Sequence, residues 1–245
     1  MSRAHVVNQM EFLEGRRFRS ADLEGSVLKV AGTFQDDRIM VQRVSDEVNG
    51  DRVEVNINGN AQYFIAAAVH DLRVDGRRGN DTIDINISLR DIRIAGDGGA
   101  DLIRTFGASA KVYGGSGNDT LEGSHGSETL MGGSGDDLLS GGRSRDFLYG
   151  DDGNDTIYGG AGSDVLSGNA GDDSVRGNAG DDRMYGQLGV DQIEGDDGND
   201  LLYAGADASG TLIGGTGIDG FSHINLAQDY DDQTDLSSVP ADLLA

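Results

Sequence analysis

Cysteine is absent, so neither a disulfide framework nor a thiolate metal site is available to this chain. No stretch approaches 18 consecutive apolar residues, so no segment reads as a membrane-crossing helix. Positive charge is scarce: 19 Lys and Arg stand against 43 Asp and Glu, a formal net charge of −24. A surface this acidic repels nucleic acid and anionic membranes and makes cations the natural partners. Apolar residues are few, 36% of the chain, and proline occurs once against 40 glycines. An ordinary packed core is not expected from such a composition, which without a period would signal low-complexity disorder. Residues 1–19 lack the uninterrupted apolar run of a cleavable secretory signal, so the expectation is that any export uses another route or that the sequence begins after processing.

Catalytic signatures are missing too. His5, His70, His125 and His223 are scattered, and neither H-E-x-x-H nor G-x-S-x-G occurs. The expectation is therefore that the chain is not an enzyme.

The deficit of positive charge is uneven. Residues 1–70 hold 8 basic and 10 acidic side chains, whereas residues 114–203 hold 4 and 19, and no Lys or Arg follows Arg183. The acidic stretch has a period. From Gly114 it reads GGSGNDTLE, GSHGSETLM, GGSGDDLLS, GGRSRDFLY, GDDGNDTIY, GGAGSDVLS, GNAGDDSVR, GNAGDDRMY, GQLGVDQIE, GDDGNDLLY, ten nonapeptides without insertion. Position one is always Gly. Position four is Gly except at Ser144, position six is Asp except at Glu128, and position eight is always Leu, Ile, Val or Met. Self-similarity of this kind is the signature of a solenoid.

Each position has a physical reason. The glycines permit positive φ and close backbone approach, as a tight turn requires. Asp151, Asn169, Asn178 and Asp196 at position two are residue types that tolerate the left-handed region. Positions seven to nine predict a short strand whose middle side chain points inward. One reversal per nonapeptide makes an 18-residue coil, with coils stacked about 4.8 Å apart through parallel pairing. The acidic positions then form two columns. Asp119, Asp137, Asp155, Asp173 and Asp191 fall on one edge, and Glu128, Asp146, Asp164, Asp182 and Asp200 on the other. Carboxylates about 5 Å apart repel by about 3 kcal/mol at an effective dielectric near 20. A hard divalent cation between turns reverses that sign, and carboxylate plus carbonyl oxygens suit calcium. Calcium binding and folding of the array are accordingly expected to be one event.

The nonapeptides resemble the repeats-in-toxin (RTX, hemolysin-type) consensus G-G-x-G-x-D-x-U-x, a calcium-binding β-helix. The resemblance implies an all-β, right-handed parallel β-roll, several Ca2+ ions held between adjacent turns by the Asp side chains and turn carbonyls, and an extracellular bacterial protein. Glu128, one methylene longer, and Ser144, without glycine's freedom, depart from the consensus, as do Gln187, Leu188 and Val190 in the ninth repeat.

Upstream the register decays. Residues 96–104 are a near match with Asp101 at position six, residues 76–84 read as a turn plus strand with Asp81 there, and residues 32–40 are a fainter echo. Alternation over 51–58, 83–87 and 91–94 predicts longer strands. The organisation expected is a cap segment over 1–26, with Val6, Val7, Met10 and Leu13 at helical spacing. An irregular β region with degenerate repeats follows over 27–113, then the regular roll over 114–203 and a capping repeat with acidic tail over 204–245. Ala204 opens a ten-residue interval that slips the period before Asp219, which could close a last site. Asp229, Asp231 and Asp235 lack the glycine and terminal glutamate of an EF-hand. The final Asp242, Leu243, Leu244 and Ala245 resemble the terminus of type I secretion substrates.

An 18-residue coil also fixes the outer faces. One shows Lys111, Thr129, Phe147, Val165, Arg183 and Leu201 beside Tyr113, Met131, Tyr149, Ser167, Tyr185 and Tyr203. It is the more apolar face, suited to self-association or to a glycan or protein contact. The function expected is that of a secreted or surface calcium-binding solenoid with a structural, adhesive or assembly role. The alternative is an accessory folding or secretion module derived from an RTX enzyme or toxin.

Overall fold

Strand alternation places position eight and position one of the next repeat on the same side of a strand. An aliphatic side chain and a glycine therefore both face inward. The computed structural model describes residues 20–46, 50–107, 109–205, 210–222 and 227–228. In it the array strands mostly run six residues, as in Thr129–Ser134, Leu138–Arg143 and Phe147–Asp152. The three-residue strands expected from the sequence are too short. Parallel pairing uses only backbone groups, so the three residues after position nine join the ladder without needing side chains, and the true turn shrinks to positions four to six.

Among the described residues, successive array strands alternate between two sheets of 11 and 12 strands and pair in parallel within each. Register steps by 18 residues along the first: Lys111, Thr129, Phe147, Val165, Arg183 and Leu201 are consecutive partners. The expected 18-residue parallel solenoid is what the chain forms. Its interior is one aliphatic column per sheet, Leu130, Leu148, Leu166, Met184 and Leu202 against Leu121, Leu139, Ile157, Val175 and Ile193, all buried. Each such side chain contributes about 2 kcal/mol by leaving water.

Both sheets continue upstream without a break. Strands β1 (Ser20–Glu24) and β2 (Val27–Ala31) form an antiparallel hairpin at the end of the first sheet. Strands β3 (Arg38–Asp46), β4 (Gly50–Ile57) and β5 (Asn60–Ile65) form an antiparallel meander at the end of the second. Strands β6 (Asp71–Asp75), β7 (Thr82–Asn86), β8 (Asp91–Gly98) and β9 (Leu102–Thr105) then alternate between the sheets and lead into the array. Residues 27–113 thus share the solenoid's core and are not packed as a separate body. Among the described residues there is no α-helix; of the cap segment expected over 1–26, residues 1–19 lie outside them and Ser20–Glu24 is strand β1, paired with β2.

Downstream, the extra residue before Thr211 is absorbed without loss of pairing: Thr211 meets Gln192 nineteen residues back, and Gly220 meets Leu201. Most of the acidic tail, including Asp229, Asp231, Asp235 and Asp242, lies outside the described residues.

Candidate metal centre

The turn at positions four to six carries the acidic side chains, and the structure does not leave them on a solvent-facing edge. Asp101, Asp119, Glu128, Asp137, Asp146, Asp155, Asp164, Asp173, Asp182, Asp191, Asp200 and Asp219 are all at most 6% exposed. Burial follows from the backbone. Each position-six N–H donates to the Oδ1 of the acidic residue one coil further on. The bonds from Asp101 to Asp119, Asp119 to Asp137, Asp137 to Asp155 and Asp155 to Asp173 are 2.7 to 2.8 Å. Asp173 bonds Asp191 at 3.1 Å. On the other side Glu128, Asp146, Asp164 and Asp182 donate in the same way to Asp146, Asp164, Asp182 and Asp200. Asp200 donates to Asp219 at 2.9 Å, so the slipped period leaves Asp219 in register. The two columns inferred from spacing are continuous hydrogen-bonded ladders.

That accounts for one oxygen of each carboxylate. The other, Oδ2 of Asp101, Asp119, Asp137, Asp146, Asp155, Asp164, Asp173, Asp182 and Asp200, is buried and makes no hydrogen bond. A buried carboxylate oxygen without a donor is costly unless a cation satisfies it. These oxygens lie over the position-one glycine of their own repeat. A Cβ built on Gly150 would sit 2.1 Å from Asp155 Oδ2 and 2.8 Å from the carbonyl oxygen of Gly168 in the next coil. At Gly132 the distances are 2.2 Å to Asp137 Oδ2 and 2.7 Å to the Gly150 carbonyl. Position one is glycine for this reason: the space a side chain would take is a small hollow with two oxygens turned into it. Of the two freedoms glycine brings, close approach is used at position one and positive φ at positions two and four, as at Gly117 (116°). Asp151, Asn169, Asn178, Asp196 and Gln187 do adopt it at position two, and Ser144 adopts it at position four, so these atypical turns keep their path.

Desolvation dominates the electrostatics, with neighbouring carboxylates adding to it at several turns. Burial pushes Asp137, Asp173, Asp182 and Asp200 up to about 7, and Asp119, Asp146 and Asp155 up to about 6, against the lowering effect of the backbone N–H. Asp101 and Asp164 are raised from the same cause. A divalent cation would draw all of them back to the ionised form.

Glu128 is the weak rung. Its N–H joins the ladder, but both carboxylate oxygens are buried without a hydrogen bond, and burial followed by the charge of Asp146 pushes it up to about 8. The preceding place in this column belongs to Ala110, next to Lys111, which pairs with Thr129. Ala110 has no carboxylate to offer.

Position five was given no role by the sequence reading. Its Asn and Asp side chains accept from the next coil's position-five N–H: Asn118 from Asp136, Asp136 from Asn154, Asn154 from Asp172, and Asp181 from Asn199. The recurrence of Asn and Asp there was the available signal.

Among the described residues no three carboxylate or imidazole side chains converge on one point. That is what this geometry dictates, since each turn supplies one acidic side chain per coil and the remaining donors are backbone carbonyls. An oxygen-only donor set of carboxylates and carbonyls suits a hard cation such as calcium and disfavours zinc or copper.

Fold and site together define a parallel β-solenoid lined by two ladders of buried acidic turns. Residues 93–121, 105–139, 122–157, 131–166, 158–193 and 176–210 match the family model of the RTX calcium-binding nonapeptide repeat, so the repeat array of this chain belongs to that family. Repeats of the family bind calcium, which makes this a calcium-binding repeat protein. No curated protein and no solved structure matches the chain.

Proposed function

We propose that the chain is a non-catalytic calcium-binding solenoid of the bacterial exterior, secreted or held at the cell surface, with a structural, adhesive or assembly role. In this reading the array sets as calcium binds. The ligands are the position-six carboxylates from Asp101 to Asp219 together with the turn carbonyls, and Glu128 is the poorest of them. The observation that carries the proposal is the row of buried Oδ2 atoms without hydrogen bonds, most of them beside a carbonyl oxygen of the next coil, as at Gly132, Gly150 and Gly177. Calcium supplies the positive charge and the additional oxygen coordination that those atoms lack. The chain's own residues hold the turn in shape: Oδ1 ties each coil to its neighbour, and position-one glycine keeps the hollow open.

The outer face bearing Tyr113, Met131, Tyr149, Ser167, Tyr185 and Tyr203 is the proposed contact surface. Tyr113 is 41% exposed and Tyr185 stacks on Tyr203 with ring centroids 4.7 Å apart, while Ser167, between Tyr149 and Tyr185, is buried. Titrating calcium into chelated protein while following circular dichroism tests the coupling: a cooperative gain of β signal is expected. Full signal in excess chelator at neutral pH would refute it. Sedimentation of Tyr149→Glu with Tyr185→Glu in calcium tests this face as a self-association surface.

A further inference from the structure

The ladder of buried carboxylates does not end where the nonapeptides end. Asp101 Oδ1 accepts from the N–H of Asp81 at 2.7 Å, and Asp81 Oδ1 accepts from the N–H of Asp37 at 2.7 Å. The chain separation between these rungs is 20 and then 44 residues, because strands β4 and β5 are inserted in the last interval. Neither Asp81 nor Asp37 falls in the segment matched by the repeat family.

The two upstream rungs differ in one respect. Asp81 is 1% exposed and its Oδ2 makes no hydrogen bond. A Cβ on Gly76 would lie 2.6 Å from that oxygen and 2.9 Å from the Gly96 carbonyl, the same hollow as in the array. Asp37 is also buried, but its Oδ2 accepts from the N–H and, at 2.8 Å, the hydroxyl of Thr33, and its Oδ1 accepts from the side-chain amide of Asn58. Arg77, four residues before Asp81, turns away from it and carries its guanidinium over the Phe34 ring at 5.5 Å and toward Asp75.

We infer that Asp81, the hollow over Gly76 and the Gly96 carbonyl form a calcium site outside the recognised repeats, and that Thr33 and Asn58 close the next rung, Asp37, with protein donors in place of an ion. This inference rests on the calcium reading of the array and extends it by one site with a defined end. The ladder then starts from a turn that needs no metal. A first rung with its carboxylate already satisfied gives the coil bearing Asp81 a formed surface to stack upon before calcium arrives.

Native mass spectrometry of the full chain at saturating calcium tests it by counting ions. Asp81→Asn should carry one ion fewer than the parent chain, and so should Gly76→Ala, which fills the hollow while leaving the carboxylate in place. Asp37→Asn should carry the full complement. An unchanged count in both Asp81→Asn and Gly76→Ala, with the parent chain calcium-loaded, would overturn this inference and leave the array reading standing. Loss of an ion in Asp37→Asn would overturn the assignment of the protein-capped end. A parent chain that binds no calcium would overturn both readings together.

Discussion

The upstream coils and the nonapeptide array share two sheets and one core, yet they fill the same places with opposite chemistry. In one turn column the acidic rungs run from Asp37 to Asp191. In the other, the place held by Glu128, Asp146 and Asp164 in the array is held upstream by Leu28, Leu72, Ile92 and Ala110, successive partners or neighbours of partners in the first sheet. The facing position, glycine in the array at Gly123 and Gly141, is Val41, Ile85 and Thr105 upstream, and all of these side chains are buried. The upstream coils therefore have one dry aliphatic turn column and one acidic one, whereas the array has two acidic columns. Ion pairs such as Arg73 with Asp91 (2.6 Å) and Arg90 with Asp71 (2.8 Å) fasten the upstream surface. On the proposed function, one solenoid is stabilised by packing at one end and by cations along the rest.

The largest effect should come from chelation. Hydrogen exchange in excess EDTA near neutral pH is expected to strip protection from the array strands while β2, β3, β6 and β7 keep theirs. Uniform loss, or uniform retention, would erase the contrast. Next is the position-one hollow. Gly150→Ala places a methyl 2.1 Å from Asp155 Oδ2 and should weaken calcium-dependent folding by about 3 kcal/mol or more. Gly25→Ala in the upstream hairpin, with φ of 64° and nothing within 4 Å, should cost only about 1 kcal/mol from backbone strain. Thermal melts of the two variants in calcium compare them directly.

A third test uses protons. The folded-state values of Asp137, Asp173, Asp182 and Asp200 are raised to about 7. A raised carboxylate contributes stability that is complete below its unfolded value near 4 and is lost as pH rises through about 7. The calcium-free array should thus hold more β structure at about pH 5.5 than at pH 8. Its calcium midpoint should rise as pH falls, because protons and calcium compete for the same oxygens. Circular dichroism in chelator at the two pH values checks the first part. The smallest effect concerns the tyrosine face: Tyr185→Ser, which removes the stack on Tyr203, should cost about 1 kcal/mol.

Much of this was legible in the sequence because the repeat is strict. Period and coil length follow from positions one, four, six and eight, and the partners Tyr113, Met131, Tyr149, Ser167, Tyr185 and Tyr203 follow by counting. The upstream strands over 51–58, 83–87 and 91–94 were legible from alternation and correspond to β4, β7 and the start of β8. Other features were not. Strand length was underestimated because glycine has low strand propensity, and stacking of coils overrides it. The spacing places the acidic residues in two columns on the edges of the roll but does not show that they are buried. Their burial depends on the backbone N–H one coil away, which no local pattern shows. Asp81 was legible at position six of residues 76–84 and residues 32–40 as a fainter echo, but the contacts from Asp37 to Asp81 and from Asp81 to Asp101 were hidden by the inserted meander and the 20-residue coil, which break the period.

The most direct test of the central claim is an anomalous difference map from crystals of the full chain grown in calcium. The account predicts peaks in the turn hollows, each between a position-six Oδ2 and the glycine carbonyl of the next coil, beginning beside Gly76 and Asp81. A well-ordered array with no peaks there, and with Asp137 or Asp155 Oδ2 still lacking a partner, would contradict it.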